Sequence, residues 1–251
     1  MFQQASSTPL GLALCPWRDA PVREAVALVA SLGYRAAQLD ATHPEVRPRS
    51  LDRSARRDLA ALLKRSELEL TGLDLWLPPE HLASGANVER AGDAVVGAIG
   101  LVRELAGLVR TSPVLSLTLP DEPDPHVMEA ISAAAERDGV SLANHAWPAP
   151  EAGEIGLDPA LAIMAGASPA KAVTTLGSRL TSVRLSDAGV AGRVPVDSPG
   201  GRLDVPSFVA ALTISAPEAP VVADVRMLAD TRAAALAARE AWDEGRAPMH
   251  M

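Results

Sequence analysis

Arg179-Leu180-Thr181-Ser182-Val183-Arg184-Leu185-Ser186-Asp187 reads as a short strand with β-branched residues that delivers Arg184 and Asp187 to its C-terminal end. That is the end at which α/β proteins place their chemistry. Outward from it in both directions one unit recurs: an apolar run, polar groups where the run stops, then a helical segment.

The upstream strands are expected over residues 10–15, 35–41, 68–75, 114–119, 140–144 and 154–157, and one more follows at 221–225. Helical spacing of apolar residues predicts helices over 21–32, 52–64, 88–109, 127–137, 168–176, 206–212 and 231–244. Ser168-Pro169 is a cap followed by a proline just inside the helix, and Gly33 and Gly177 are helix stops. Eight strands without a linker predict one α/β domain over residues 1–251, a (β/α)8 TIM barrel. One step is short. Eight residues separate His145 from Glu154, whereas a parallel crossover with its helix takes ten to twelve or more. The helix between strands five and six is therefore missing or reduced to a strap, which Pro148 and Pro150 favour.

Composition narrows the chemistry. Hydrophobic residues make up 48% of the 251 and aromatics only 3%, so the core must be Ala, Leu and Val packed between helices and sheet. A net charge of −8 excludes a phosphate-backbone partner, which needs a basic surface. Cys15 is the only cysteine, so no intramolecular disulfide and no thiolate zinc site can form. The run 10–15 resembles the end of a lipoprotein signal, but Leu14 stands where a small residue is needed and no basic segment precedes it. No apolar stretch reaches the roughly 18 residues of a membrane span. A cytoplasmic protein without a membrane or nucleic-acid partner is the expectation.

Several segments then resemble the sugar phosphate isomerase/epimerase family with the xylose-isomerase-like barrel. They are Gly33-Tyr34-Arg35-Ala36-Ala37-Gln38-Leu39-Asp40, Gly72-Leu73-Asp74-Leu75-Trp76, Gly139-Val140-Ser141-Leu142-Ala143, Leu176-Gly177-Ser178-Arg179-Leu180 and Gly200-Gly201-Arg202-Leu203-Asp204. The resemblance covers residues 10–244 and implies carbohydrate chemistry at the C-terminal mouth. It also implies a divalent cation, manganese, magnesium or zinc, that stabilises an enediolate while carboxylates carry the proton. Residue by residue the match is mixed. Gln38 stands where the second strand of the family ends in glutamate, and His145 near the expected glutamate of the fifth. Asp158 keeps the aspartate of the sixth strand, but the histidine that follows it is absent. The seventh strand's His-x-Lys-Asp is Arg184-Leu185-Ser186-Asp187 here, and Asp224 is the shorter counterpart of the eighth strand's glutamate.

The resemblance thus names His145, Asp158, Asp187 and Asp224 as catalytic candidates, with His145, Asp158 and Asp224 as what is left of the metal shell. Asp74, Trp76 and Arg184 are candidates for holding substrate, Trp76 by stacking on a sugar ring. Arginine cannot ligate a metal at ordinary pH, and its fixed charge repels a cation, so no tightly bound cofactor is expected. Each residue also has a structural reading: Asp158 before Pro159 as a helix cap, Asp224 with Arg226 as an ion pair, Arg184 with Asp187 as an internal salt bridge, His145 as a hydrogen-bonded core histidine. His81, His126 and His250 read as solvated loop residues. The glycine-bearing loop 192–201, flanked by Arg193 and Arg202, is either a mobile surface loop or a seat for an anionic group.

The chain lacks Gly-x-Gly-x-x-Gly after its first strand, a phosphate-loop motif and His-Glu-x-x-His. Two functions remain. One is an isomerase or epimerase acting on a small sugar, polyol or sugar phosphate; the other is a non-catalytic ligand-binding or assembly paralogue that has lost the metal site. The partner in either case is a small sugar or related anion, and a homo-oligomer is compatible with both.

Overall fold

In the computed structural model, which describes residues 9–247, the strands are β1 (Gly11–Ala13), β2 (Ala36–Asp40), β3 (Glu69–Asp74), β4 (Val114–Leu117), β5 (Ser141–Asn144), β6 (Ile155–Leu157), β7 (Leu180–Leu185), β8 (Asp187–Gly189), β9 (Gly192–Val194) and β10 (Val221–Ala223). Strand β1 pairs in parallel with β2 on one side and with β10 on the other. That second pairing closes the ring, whose order is β1-β10-β7-β6-β5-β4-β3-β2. The run 10–15, expected as the first strand, supplies β1 of this barrel. His250 lies outside the described residues.

Helices α1 (Val22–Ser31), α2 (Arg53–Arg65), α3 (Val88–Val109), α4 (Pro125–Asp138), α5 (Pro159–Met164), α6 (Pro169–Leu176), α7 (Val205–Ser215) and α8 (Thr231–Arg246) accompany the strands. Residues 145–154, between β5 and β6, carry no helix. Aspartates start most of the helices: the side chains of Asp52, Asp124, Asp158, Asp204 and Asp230 each accept a first-turn N–H. Each satisfies a donor that helix geometry leaves unpaired.

Strand β2 is buried at all five of its residues, as parallel strands covered on both faces must be. Between sheet and helices lie Val26 and Val29 of α1, Leu63 of α2, Ile99 and Val102 of α3, Phe208 of α7 and Ala235 and Ala238 of α8. The many alanines let the helices sit close to the sheet.

Two bulges set where the strand ends point. Along β2 and β3 the register steps from Ala37 opposite Leu70 to Gln38 opposite Gly72, leaving Thr71 as the extra residue. Gly72 takes φ +137 there, and a Cβ on it would run into the carbonyl of Val114, so glycine is required. A second step, at Thr181 between β6 and β7, precedes the stretch that carries Ser182 and Arg184.

The structure departs from the sequence reading after β7. Residues 187–194 form an antiparallel hairpin, β8 with β9, in place of a mobile loop starting at 192. Helix α5 is not among the helices read from apolar spacing, because six residues are too few to display a helical period, but it bears out the reading of Asp158 before Pro159 as a cap.

Candidate functional site

Four strand ends bring charge to one point at the C-terminal mouth: Asp74 ends β3, Asp158 follows β6, Arg184 lies in β7 and Asp224 follows β10. All four are at most 5% exposed. The Arg184 guanidinium is the hub. Its Nη2 donates to Asp74 Oδ1 at 3.1 Å, its Nη1 to Asp158 Oδ2 at 3.1 Å, and its Nε faces Asp224 Oδ2 at 3.4 Å. Two further arginines close the cluster. Arg226 donates through Nη2 to Asp74 Oδ2 at 2.8 Å and through Nε to Asp224 Oδ1 at 2.7 Å. Arg193, on β9, donates to Asp158 Oδ2 and places Nη1 3.7 Å from Asp224 Oδ2. Loop 192–201 therefore delivers its arginine into the mouth, which corrects the surface-loop reading.

Three carboxylates and three guanidinia make this set neutral as a whole. Taking such groups out of water costs several kcal/mol per ion, offset here because nearly every polar atom has a charged partner. Burial pushes the Asp158 carboxyl up, but Arg193, Arg184 and the Ser186 hydroxyl outweigh it and hold it down at about 2. Asp224 is likewise lowered, with burial opposed by Arg226, Arg184 and Arg193. Asp158 Oδ1 accepts from Ser186 Oγ at 2.6 Å and from the N–H of Ala160 at 3.1 Å, so it also caps α5. Ligand candidate and helix cap are here one residue.

His145 lies at the same end but turns away from the carboxylates. Its Nε2 contacts Ser116 Oγ at 3.2 Å, while Gln38 Nε2 donates to that oxygen at 3.1 Å and Ser116 donates onward to Ser182 at 3.2 Å. The imidazole thereby joins a layer of polar side chains across the barrel. Burial, then the positive charges of Arg184 and Arg226, lower the His145 pKa well below its ordinary value.

Asp187 has another task again. Its Oδ1 accepts from the N–H groups of Ala188, Arg202 and Leu203 at 2.7, 2.9 and 2.9 Å. It pins the chain after the hairpin and forms no ion pair with Arg184, whose three acidic partners are Asp74, Asp158 and Asp224. Trp76 is 54% exposed and borders a separate cavity outside the cluster, with Arg18 5.6 Å above its ring. His81 is half-buried on the same cavity, and His126 is exposed. Beside Asp224 and Arg193 the free volume is about 10 Å³, room for one water at most.

The structural reading of Asp224 with Arg226 as an ion pair holds, and Arg226 reaches Asp74 as well. Arg193, read from the sequence as flanking a glycine-bearing loop, turns to Asp158 and Asp224 because the hairpin carries it there.

No protein-family model matches the sequence, and no curated protein matches it. Among solved structures the chain is similar to a D-psicose 3-epimerase determined in the presence of D-fructose, at TM-score 0.68 and 17% identity over 95% of this chain and 98% of that one. It is similar to a xylose isomerase domain protein from Planctomyces limnophilus at TM-score 0.65 and 14% identity, covering 95% and 94%. A third is the IOLI protein with a bound zinc atom, at TM-score 0.65 and 12% identity over 94% and 97%. The fold is thus the xylose-isomerase-like barrel.

One of these neighbours holds a zinc atom, and the residues at this mouth do not fit a divalent metal. Asp74, Asp158 and Asp224 converge, but on the guanidinium of Arg184, and each turns at least one oxygen to an arginine. His145 is committed to Ser116. Among the described residues no group of three or more His, Cys, Asp or Glu is arranged to hold an ion. A cation inserted there would lie against positive charge that cannot be shed. Among the described residues no helix is long and apolar enough to cross a membrane.

Proposed function

We propose that this chain binds a small sugar-derived ligand on an isomerase-type barrel and does so without a divalent-metal centre. The observation that carries this reading is the Arg184 guanidinium paired to Asp74 and Asp158 and set against Asp224. In an isomerase of this fold, carboxylates hold the ion that polarises the substrate; here they hold arginines, and Arg193 covers them from the hairpin. The cluster does the work of a strut between strand ends.

Calorimetric titration of the full chain with manganese, magnesium and zinc tests the reading. We expect no tight binding in the unmodified protein. Tight manganese binding that Asp158→Ala abolishes would overturn it.

A second reading, a sugar isomerase or epimerase, is favoured by the epimerase and isomerase-domain proteins among the structural neighbours. It requires Arg193 to withdraw so that a substrate can reach Asp158. Turnover of ketoses, followed by polarimetry with and without manganese, separates the two readings.

A further inference from the structure

A cavity of about 1020 Å³ opens beside the barrel mouth, off its axis, between the segment after β2, the segment after β3 and the start of α3. Its size is that of a cleft for a whole small molecule. Arg47, Arg49, Arg56 and Arg90 line it, and among the described lining residues Asp93 is the one carboxylate. Arg56 is neutralised by Glu104, at 2.6 Å from Nη1. The other three have no ion pair among the described residues: Arg47 is steadied by the Thr42 carbonyl at 3.0 Å, and Arg90 by Asn87 Oδ1 at 2.6 Å. Set against Asp93, they leave a local excess of about two positive charges, on a chain whose net charge is −8.

Two further features face the same space. Helix α3 lies along the cleft by its flank, from Asn87 to Leu101, with the small residues Ala91, Ala94, Gly97 and Gly100 leaving the space open. Trp76 exposes 54% of its surface on the same wall, in a chain with only 3% aromatic residues. Arg18, which is tied to Asp40 at 3.0 Å, sits over the ring. An exposed indole held in place beside unpaired guanidinia is a recognition surface for a molecule with a ring and a strong negative charge.

We propose that this cleft is a binding site for a small ring-bearing phosphate ester, its phosphate held by Arg47, Arg49 and Arg90 and its ring laid on Trp76. A phosphate dianion matches the local excess charge, and guanidinium forks fit its oxygens. The inference deepens the ligand-binding reading above and rests on it, giving the ligand a place and a charge.

The test is isothermal calorimetry on the full chain with four probes: inorganic phosphate, fructose, fructose 6-phosphate and adenosine 5′-monophosphate. The expected result is that at least one ring phosphate binds about tenfold or more tightly than inorganic phosphate, and that fructose does not bind. Which of the two binds tells a sugar ring from an aromatic one. Arg49→Gln, Arg90→Gln and Trp76→Ala, all at exposed positions and so compatible with folding, should each weaken that binding about tenfold at unchanged melting temperature. Absence of binding by both ring phosphates up to about 10 mM, an affinity no better than that of inorganic phosphate, or affinities untouched by the three variants would each overturn it. The metal titration reads the barrel mouth and these probes read the cleft, so failure of one is distinguishable from failure of the other.

Discussion

The imidazole of His145 lies directly against Gly156: a Cβ on residue 156 would overlap the ring atoms Cδ2, Nε2 and Cε1, closer than real side chains approach. The two residues come from opposite ends of the helix-free segment between β5 and β6. Gly156→Ala should therefore destabilise the protein by about 1–3 kcal/mol, as overpacking does. His145→Ser should recover much of that loss by making room. A double-mutant cycle in urea reads the coupling, and additive effects of the two substitutions would show that the contact is not tight.

Arg184 should be the costliest single residue of the mouth to remove. Arg184→Met leaves Asp74, Asp158 and Asp224 with only Arg193 and Arg226, and breaking a buried pair costs about 3–5 kcal/mol. Chemical denaturation measures it; a loss below about 1 kcal/mol, typical of exposed pairs, would mean that water already screens the cluster. Arg184→His, which removes the fixed charge and supplies an imidazole, should raise manganese affinity above that of the unmodified chain.

Stability should fall as the solution is acidified, in two stages. The folded-state pKa of His145 is depressed well below 6.5, so below pH 6.5 the unfolded chain takes up a proton that the folded chain refuses. Its contribution is complete above that pH and shrinks by roughly 1.4 kcal/mol per unit as pH falls toward the folded value. Asp158, held at about 2 against an ordinary 3.8, adds a second loss between those two values. Urea midpoints at pH 8, 6 and 5 check the first stage, and His145→Gln should flatten it. A midpoint constant from pH 8 to 5 would contradict the buried neutral imidazole.

Asp187→Ala should loosen the chain after the hairpin without touching the charge cluster. It removes the acceptor shared by the N–H groups of Ala188, Arg202 and Leu203; the buried Ala188 donor left unmet costs about 1–3 kcal/mol, and the two part-buried donors less. Amide exchange at 202 and 203 should accelerate while exchange in β4 and β5 stays slow. Equal acceleration everywhere would assign Asp187 to global stability.

The sequence made the barrel readable because its strands are apolar runs that stop at polar groups, and most of its helices start at Asp or Ser and several stop at glycines such as Gly33 and Gly139. The convergence of Asp74, Asp158, Arg184 and Asp224 followed from one rule, that strand ends gather at the mouth. What each end does there was not readable. Asp187 and Asp158 look alike in sequence, yet one binds loop backbone and the other two arginines. The hairpin was hidden because its turn, Val190-Ala191, has neither the asparagine nor the glycine that usually marks a two-residue connection. Trp76 was assigned to the mouth because it stands two residues beyond Asp74, but past the end of β3 the chain turns outward and carries it to the neighbouring cavity.

The equal count of acids and bases in the mouth constrains how this protein can change over generations. Substituting any one of Asp74, Asp158, Asp224, Arg184, Arg193 or Arg226 strands a charge on its former partners, so each single step passes through a less stable ancestor or descendant. Only matched exchanges, an acid together with a base, keep the balance. A route from this arrangement to an ion-binding one is a valley crossed in pairs, and it is easier for new recognition to arise on exposed neighbouring surface, where one residue can change at a time.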